Sequence, residues 1–427
     1  MKLFGSSGVR RIADASLFTL TLKVAGAVGK RYNRVIVGCD TRTSSDMFKH
    51  VAISGLAAAG ASVFDAGVVP TPTLALAARR FDAALMVTAS HNPPEYNGIK
   101  LFNPDGSAFG REQQSEIEAL VSNSLPGMVA WDRLESSQVY HGAIEQHINH
   151  IRRHFPHRYR LKVALDCACG AASVITPYLL QEMGCELISL NCNPSGFFPH
   201  PVEPLEENLQ DLKNMVKESG ADVGIAHDGD ADRMMGVDER GAYISGDKML
   251  CLLAQTVAAR DVVTTVDASK NIEDYSYSIR RTAVGDAFVS DELKKGGDFG
   301  GEPSGAWIFP DNTLCPDGIF AAACLVDIAS HGRLSQMVDS IAAYPNLRGS
   351  VRCEDIDMDR LAEALVSGFA ATDENRLDGV KLTFDNGWLL ARPSGTEPKV
   401  RLTVEGDDAD WVHQTYDRAM KMIRGGE

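Results

Sequence analysis

Ala83-Ala84-Leu85-Met86-Val87 runs straight into Thr88-Ala89-Ser90-His91-Asn92-Pro93-Pro94, and the chain resumes with Asn97-Gly98-Ile99-Lys100. An unbroken apolar run of this length predicts a buried strand. The prolines stop it in a polar turn, and the end of a strand is where an open α/β sheet places its chemistry. A hydroxyl, an imidazole and, a short reach later, an ammonium gather there. A Ser-His-Asp hydrolase would carry Gly-x-Ser-x-Gly, which Ala89-Ser90-His91 lacks. On these residues alone a plain surface turn stays open.

Working outward, three segments share one plan. Arg34 to Asp40 is a short apolar strand ending in an aspartate, followed by a helical stretch from Met47 to Ala59, Gly60 and a second strand from Ala61 to Phe64. Lys162 to Asp166 begins the same sequence of events, with a helix through Tyr178 to Met183, Gly184 and a strand from Cys185 to Leu190. Asp261 to Asp267 opens a third, less regular copy that leads to Ser276–Ile279. Short strands alternating with helices predict an α/β fold, here three similar mixed-sheet units. The C-terminal stretch differs. Asp355 to Phe369 has helical spacing, Val380 to Phe384 and Trp388 to Ala391 read as a hairpin through Asp385-Asn386-Gly387, Val400 to Val404 is another strand, and Asp408 to Ile423 a closing helix. That is a smaller α+β domain. The expected domains are 1–152, 153–248, 249–346 and 347–427.

Bulk properties narrow the function. A chain of 427 residues is too long for one core. Its net charge of −15 argues against nucleic acid as a partner. The nine cysteines are scattered with no Cys-x-x-Cys pair, so zinc is not expected, and reduced thiols in a cytoplasmic protein are the plain reading. No signal peptide is evident at the N-terminus and no run is long enough to span a membrane.

Three more stretches carry chemistry. Asp228-Gly229-Asp230-Ala231-Asp232-Arg233 follows the apolar run Val223–Ala226. Alternate residues of extended chain face one side, so three carboxylates converge and repel unless a cation sits among them; Mg²⁺ suits such a set. The spacing also imitates a calcium EF-hand, down to Glu239, but Arg233 stands where that loop needs glycine and a strand, not a helix, precedes it. Gly300-Gly301-Glu302-Pro303-Ser304-Gly305 reads equally as a tight bend. Arg392-Pro393-Ser394-Gly395-Thr396-Glu397-Pro398-Lys399-Val400-Arg401 is either a charged hairpin tip or a phosphate-binding nest.

Taken together, these four loops resemble those of the α-D-phosphohexomutases, in the family's order and over essentially the whole chain. The resemblance implies four domains around a central cleft. It makes Ser90 the residue that carries phosphate, with His91, Lys100 and Arg10 as catalytic neighbours; Arg10 lies in Phe4-Gly5-Ser6-Ser7-Gly8-Val9-Arg10, similar to the family's N-terminal segment. Mg²⁺ would be held by Asp228, Asp230, Asp232 and the phosphate on Ser90. Arg233, Glu302 and Ser304 would contact the sugar, and Arg392, Ser394, Gly395, Thr396 and Arg401 the phosphate that does not react. The implied substrate is a sugar phosphate, turned over through a hexose 1,6-bisphosphate that also primes the enzyme. Val284-Gly285-Asp286-Ala287-Phe288-Val289 resembles the corresponding segment of the phosphoglucosamine mutases, which favours a glucosamine phosphate over mannose or glucose phosphates. Arg11, Ala231, Ala287 and Ala306 depart from the family pattern. A sugar phosphatase and a silent sugar-phosphate binder are the readings from other classes. Oligomeric state is not legible.

Overall fold

Apolar strands with no polar face must be covered on both sides, and this requirement shapes the first three quarters of the chain. The computed structural model describes residues 3–5, 8–122, 127–353, 357–394 and 399–425. Its first sheet contains β1 (Val9–Ile12), β2 (Arg34–Cys39), β3 (Ser62–Val68), β4 (Ala83–Val87), β5 (Tyr96–Phe102) and β6 (Gln138–Val139), in the order β1-β5-β4-β2-β3-β6. The second holds β7 (Lys162–Asp166), β8 (Glu186–Leu190), β9 (Val223–His227) and β10 (Met234–Asp238), ordered β10-β9-β7-β8. The third holds β11 (Asp261–Thr265), β12 (Ser278–Thr282), β13 (Phe299–Gly301) and β14 (Trp307–Ile308), ordered β12-β11-β13-β14.

These sheets contain one unit three times. In each, the first strand lies between the second and third and is parallel to both, while the fourth returns antiparallel along the third. The expected similarity of the first three units is therefore one of strand order and direction. The third copy is the least regular: a short 3₁₀ turn, Lys270–Asp274, stands between β11 and β12 where the others have an α-helix.

The fourth sheet is antiparallel: β15 (Asn346–Arg352), β16 (Asp373–Asn375), β17 (Val380–Phe384), β18 (Gly387–Pro393) and β19 (Lys399–Gly406), in the order β15-β19-β18-β17-β16. Helices Met358–Gly368 and Ala409–Arg424 supply Leu361, Leu365, Val412 and Ile423 to its core. The hairpin differs from expectation by one residue. Phe384 pairs with Gly387, so only Asp385 and Asn386 form the turn and Gly387 opens the strand. A Cβ on Gly387 would stand 2.6 Å from the Trp411 ring, so the glycine serves packing there.

The cores do not divide as simply as the sheets. The first and fourth units have their own, but one continuous cluster runs from Ile148 to Ile341 through the second and third. At its centre is the helix Gly318–Ser330, apolar almost all round, as a helix buried on every side must be. Asp317 caps it, accepting from Ile319 N and Phe320 N, and its other oxygen accepts from His147 Nε2 at 2.9 Å. His147 Nδ1 lies 2.9 Å from Thr73 Oγ1, so one buried imidazole ties the first unit to the third. Among the described residues, no helix is long and apolar enough to cross a membrane, and all nine thiols are free.

Candidate active site

The loop between the third and fourth strands of each repeated unit falls at one sheet end. In the first unit, β4 to β5, it carries Ser90; in the second, β9 to β10, Asp228–Asp232; in the third, β13 to β14, Glu302–Gly305. The connection between the antiparallel strands is short in every case, 88–95, 228–233 and 302–306.

Ser90 is buried and adopts a left-handed backbone with φ 50°, a conformation that costs a residue with a side chain. Arg42 holds it there. Its guanidinium, fully buried, pairs with Asp40 at 3.1 Å and donates to four carbonyl oxygens of the loop: Ser90, Asn92, Pro93 and Tyr96. Thr88 Oγ1 accepts from Ser90 N and donates to Asp40. The Ser90 hydroxyl donates to Asp228 Oδ2 at 2.9 Å and lies 3.2 Å from His91 Nδ1. A Cβ on Gly229 would stand 2.6 Å from Ser90 O, so only glycine lets the two loops approach this closely.

Asp228, Asp230 and Asp232 are all buried, with ligand oxygens within 4.8 Å of one another. Lys100, projecting from β5, bridges two of them, 2.7 Å from Asp230 Oδ2 and 2.5 Å from Asp232 Oδ2. Burial works against the Lys100 ammonium, but these two carboxylates outweigh it and raise its pKa. Burial likewise opposes the Asp230 carboxylate and is overcome by Lys100 and Thr71, which hold its pKa below the usual range. At Asp228 the balance reverses: burial, then the charges of Asp232 and Asp230, push it well up and outweigh Arg233 and Lys100. The donor set fits a divalent cation. Asp230 Oδ1 is buried without a hydrogen-bond partner, and the Lys100 ammonium reaches only two of the three carboxylates. The EF-hand alternative fails on the fold: β9 and β10 flank the loop, and Glu239 instead accepts from Ser335 N and Oγ.

Around this centre, Arg10 donates to Asn92 Oδ1 at 3.1 Å. His91 has its pKa lowered well below the ordinary imidazole value, by burial first and then by Arg233, Arg10 and Lys100, so it is neutral at neutral pH. Arg233 pairs with Glu203 at 2.8 Å, and its backbone bridges to Ala306, which joins the acidic loop to the Glu302 loop. Ala306 is buried in that bridge. Glu302 accepts from Gly285 N at 2.6 Å and from Ser304 Oγ at 3.2 Å. Burial, with Asp286 and Asp267 nearby, pushes its pKa up to about 7.

Ser90, His91, Lys100, Arg10, the three aspartates and Arg233 are thus gathered at one place, with Glu302 and Ser304 beside them. Arg392 and Arg401 lie apart on β18 and β19, directly opposite each other. Arg392 is 3.9 Å from Asp267 and 3.7 Å from Asp378, and Ser394 N donates to Lys399 O. Gly395 and Thr396 lie outside the described residues, as do Ser6 and Ser7 of the N-terminal segment. Sequence reasoning passed over Arg42, Thr71 and Glu203, and quoted Asp286 only within the segment that resembles the phosphoglucosamine mutases. The one available signal was Asp40-Thr41-Arg42, charged residues placed directly after an apolar strand.

Comparison with known proteins agrees with this arrangement. The three alpha/beta/alpha domains of phosphoglucomutase/phosphomannomutase match residues 1–126, 139–241 and 245–344, and the C-terminal domain matches 351–422. A probable phosphoglucosamine mutase of Methanocella arvoryzae is 45% identical over 432 residues, covering 99% of this chain and 98% of its own. One from Methanococcoides burtonii is 46% identical over 430 residues, covering 99% of each. A phosphoglucomutase/phosphomannomutase family protein from Burkholderia thailandensis superposes with a TM-score of 0.89 at 26% identity, covering 100% of this chain and 98% of that one. Aspergillus fumigatus N-acetylphosphoglucosamine mutase, solved with GlcNAc-6P and magnesium, shares the fold at a TM-score of 0.62 and 16% identity, covering 100% and 96%. With every unit matched in order, the chain belongs to the phosphoglucomutase/phosphomannomutase family of α-D-phosphohexomutases.

Proposed function

We propose that this protein is a phosphoglucosamine mutase, interconverting glucosamine 6-phosphate and glucosamine 1-phosphate. The observation that carries the chemistry is the Ser90 hydroxyl held 2.9 Å from Asp228 at the edge of a buried acidic triad. Relatives named phosphoglucosamine mutase, matched over nearly the full length of both chains, support the choice of sugar.

In this scheme Ser90 carries a phosphoryl group. The free hydroxyl of the bound sugar phosphate loses its proton as its oxygen bonds phosphorus; the bond from phosphorus to Ser90 Oγ breaks, and Oγ takes up a proton. The 1,6-bisphosphate turns within the cleft and returns its other phosphate to Ser90, so a hexose 1,6-bisphosphate also primes the unphosphorylated enzyme. Asp228, Asp230 and Asp232 would hold Mg²⁺, which supplies charge neutralisation to the phosphoserine. Neutral His91, beside Ser90, is placed to accept a proton. Arg10, whose guanidinium does not give up its proton, and Lys100, held charged by Asp230 and Asp232, stabilise the charge on the transferring oxygens. Glu302 and Ser304 accept and donate to a vicinal diol, a grip that serves either orientation of the sugar. Arg392, Ser394, Gly395, Thr396 and Arg401 hold the phosphate that stays, so remote binding energy orients the reacting end. The domains 1–152, 153–248, 249–346 and 347–427 each contribute one loop to this cycle.

The test is ³¹P NMR of the purified protein with Mg²⁺ and a trace of hexose 1,6-bisphosphate. Glucosamine 6-phosphate, glucose 6-phosphate and mannose 6-phosphate are offered separately. The fastest growth of a 1-phosphate signal is expected from glucosamine 6-phosphate. Faster growth from either neutral sugar overturns the specificity, and inorganic phosphate alone overturns the mutase.

A further inference from the structure

Cys167 and Cys192 lie just past the ends of two neighbouring parallel strands, β7 and β8, with their sulfurs 3.4 Å apart. Cys167 is fully buried; Cys192 is half-buried and is the one a small molecule can reach. A disulfide requires the sulfurs about 2.0 Å apart, so the two side chains must draw together and their backbones adjust. That backbone is already strained: Ala168, Cys169 and Asn191 have φ of 48°, 55° and 53°.

The same turn supports the acidic loop. Ala171 N donates to Gly229 O at 2.9 Å, and a Cβ on Gly170 would stand 2.7 Å from that oxygen. Cys169 O accepts the Thr41 hydroxyl at 2.9 Å, which fastens the turn to the first unit beside Arg42. Nothing in the mutase scheme uses these thiols.

We propose that Cys167 and Cys192 form a reversible thiol–disulfide site, oxidised by a small-molecule disulfide, and that the bond loosens the Asp228–Asp232 loop through the turn from Cys167 to Ala171. The Cys192 thiolate attacks one sulfur of the small disulfide and expels the other half as a thiolate. Cys167 then attacks the Cys192 sulfur and expels the second half. The two protein thiols lose two electrons and two protons; the small disulfide gains both and leaves as two thiols. The order follows from the environment: Cys192 is the half-buried thiol that a small disulfide can meet, whereas Cys167, which accepts the Cys192 S–H, is buried and its pKa is raised well above the ordinary range.

The experiment treats reduced protein with oxidised glutathione, blocks the remaining thiols with iodoacetamide and digests without reduction. The expected product is a cross-linked peptide pair holding Cys167 and Cys192, two hydrogens lighter than the separate peptides. Mn²⁺ affinity, read by electron paramagnetic resonance, falls about tenfold on oxidation, the scale of losing an outer-shell support. Dithiothreitol restores it, and Cys192→Ser protein keeps its Mn²⁺ affinity under the same oxidant. Absence of the 167–192 linkage overturns the proposal, as does a linkage that leaves Mn²⁺ affinity unchanged. Neither readout depends on which sugar the enzyme turns over, and the oxidation–reduction cycle of the wild-type protein decides even where Cys192→Ser misfolds.

Discussion

Ser90 donates its hydroxyl to Asp228 across 2.9 Å, and the two residues occupy equivalent hairpins, each after the third strand of a repeated four-strand unit. Glu302 occupies the third such hairpin, joined to the second by the backbone bridge between Arg233 and Ala306. One structural position, used three times, thus supplies the reactive hydroxyl, the acidic triad and the carboxylate beside it. In the proposed cycle the phosphoserine, the cation and the sugar would meet where these three loops come together.

Ser90→Ala removes the hydroxyl that donates to Asp228. Turnover is expected to fall by about 10⁴-fold or more, as when a nucleophile is deleted, with sugar-phosphate binding largely kept. Calorimetric titration beside a coupled assay separates the two; equal loss of binding and turnover would make Ser90 a binding residue only.

Arg42 acts through the Ser90 loop without a place in the transfer itself. Arg42→Ala leaves Asp40 buried without its cation and frees four carbonyl oxygens, so a destabilisation of about 3–5 kcal/mol is expected in urea unfolding. Arg42→Lys keeps the charge but not the fork, and should recover part of the stability while turnover stays low. Full activity in the lysine variant would show that the loop needs only a positive charge.

Lys100 and a divalent cation serve the same carboxylates. Without added metal, Lys100→Met should lose about 3–5 kcal/mol, because Asp230 and Asp232 are left buried and unpaired. Mg²⁺ should narrow that gap, since an ion that binds only the folded protein stabilises it. A gap of constant size across a Mg²⁺ titration counts against the triad as the ion's site.

Glu302 gives a pH dependence of defined sign. Its folded pKa of about 7 lies above the ordinary 4.5, so between those values the folded protein binds more protons than the unfolded one. Its contribution to stability is therefore complete below about pH 4.5 and is lost as pH rises toward 7, by up to about 3 kcal/mol. Glu302→Gln is always neutral and should become more stable relative to wild type from pH 5 to pH 8 in urea unfolding. The opposite trend would mean that Arg233 governs this carboxylate rather than burial.

Much of this was legible in the residues. Ala83–Val87 and Val223–Ala226 are short continuous apolar runs, the pattern of a doubly covered strand, and each ends in a polar loop that the structure brings to the cleft. β15 and β16 were not legible, because they are edge strands: Asn346–Arg352 buries only Val351, and Asp373–Asn375 is wholly exposed, so neither has an apolar pattern to read. Arg42 was missed for a related reason. Apart from Asp40, its partners are carbonyl oxygens some fifty residues away, and backbone acceptors leave no trace in sequence. The shared core of the second and third units was likewise invisible, since the helix Gly318–Ser330 shows that it is buried without showing against what.

The most direct test follows the phosphate itself. Protein incubated with Mg²⁺ and a hexose 1,6-bisphosphate labelled with ³²P, then digested and mapped, should carry label on the peptide containing Ser90. Unlabelled glucosamine 6-phosphate should chase that label into sugar phosphate. Label on a different residue, or its release only as inorganic phosphate, would contradict transfer through Ser90.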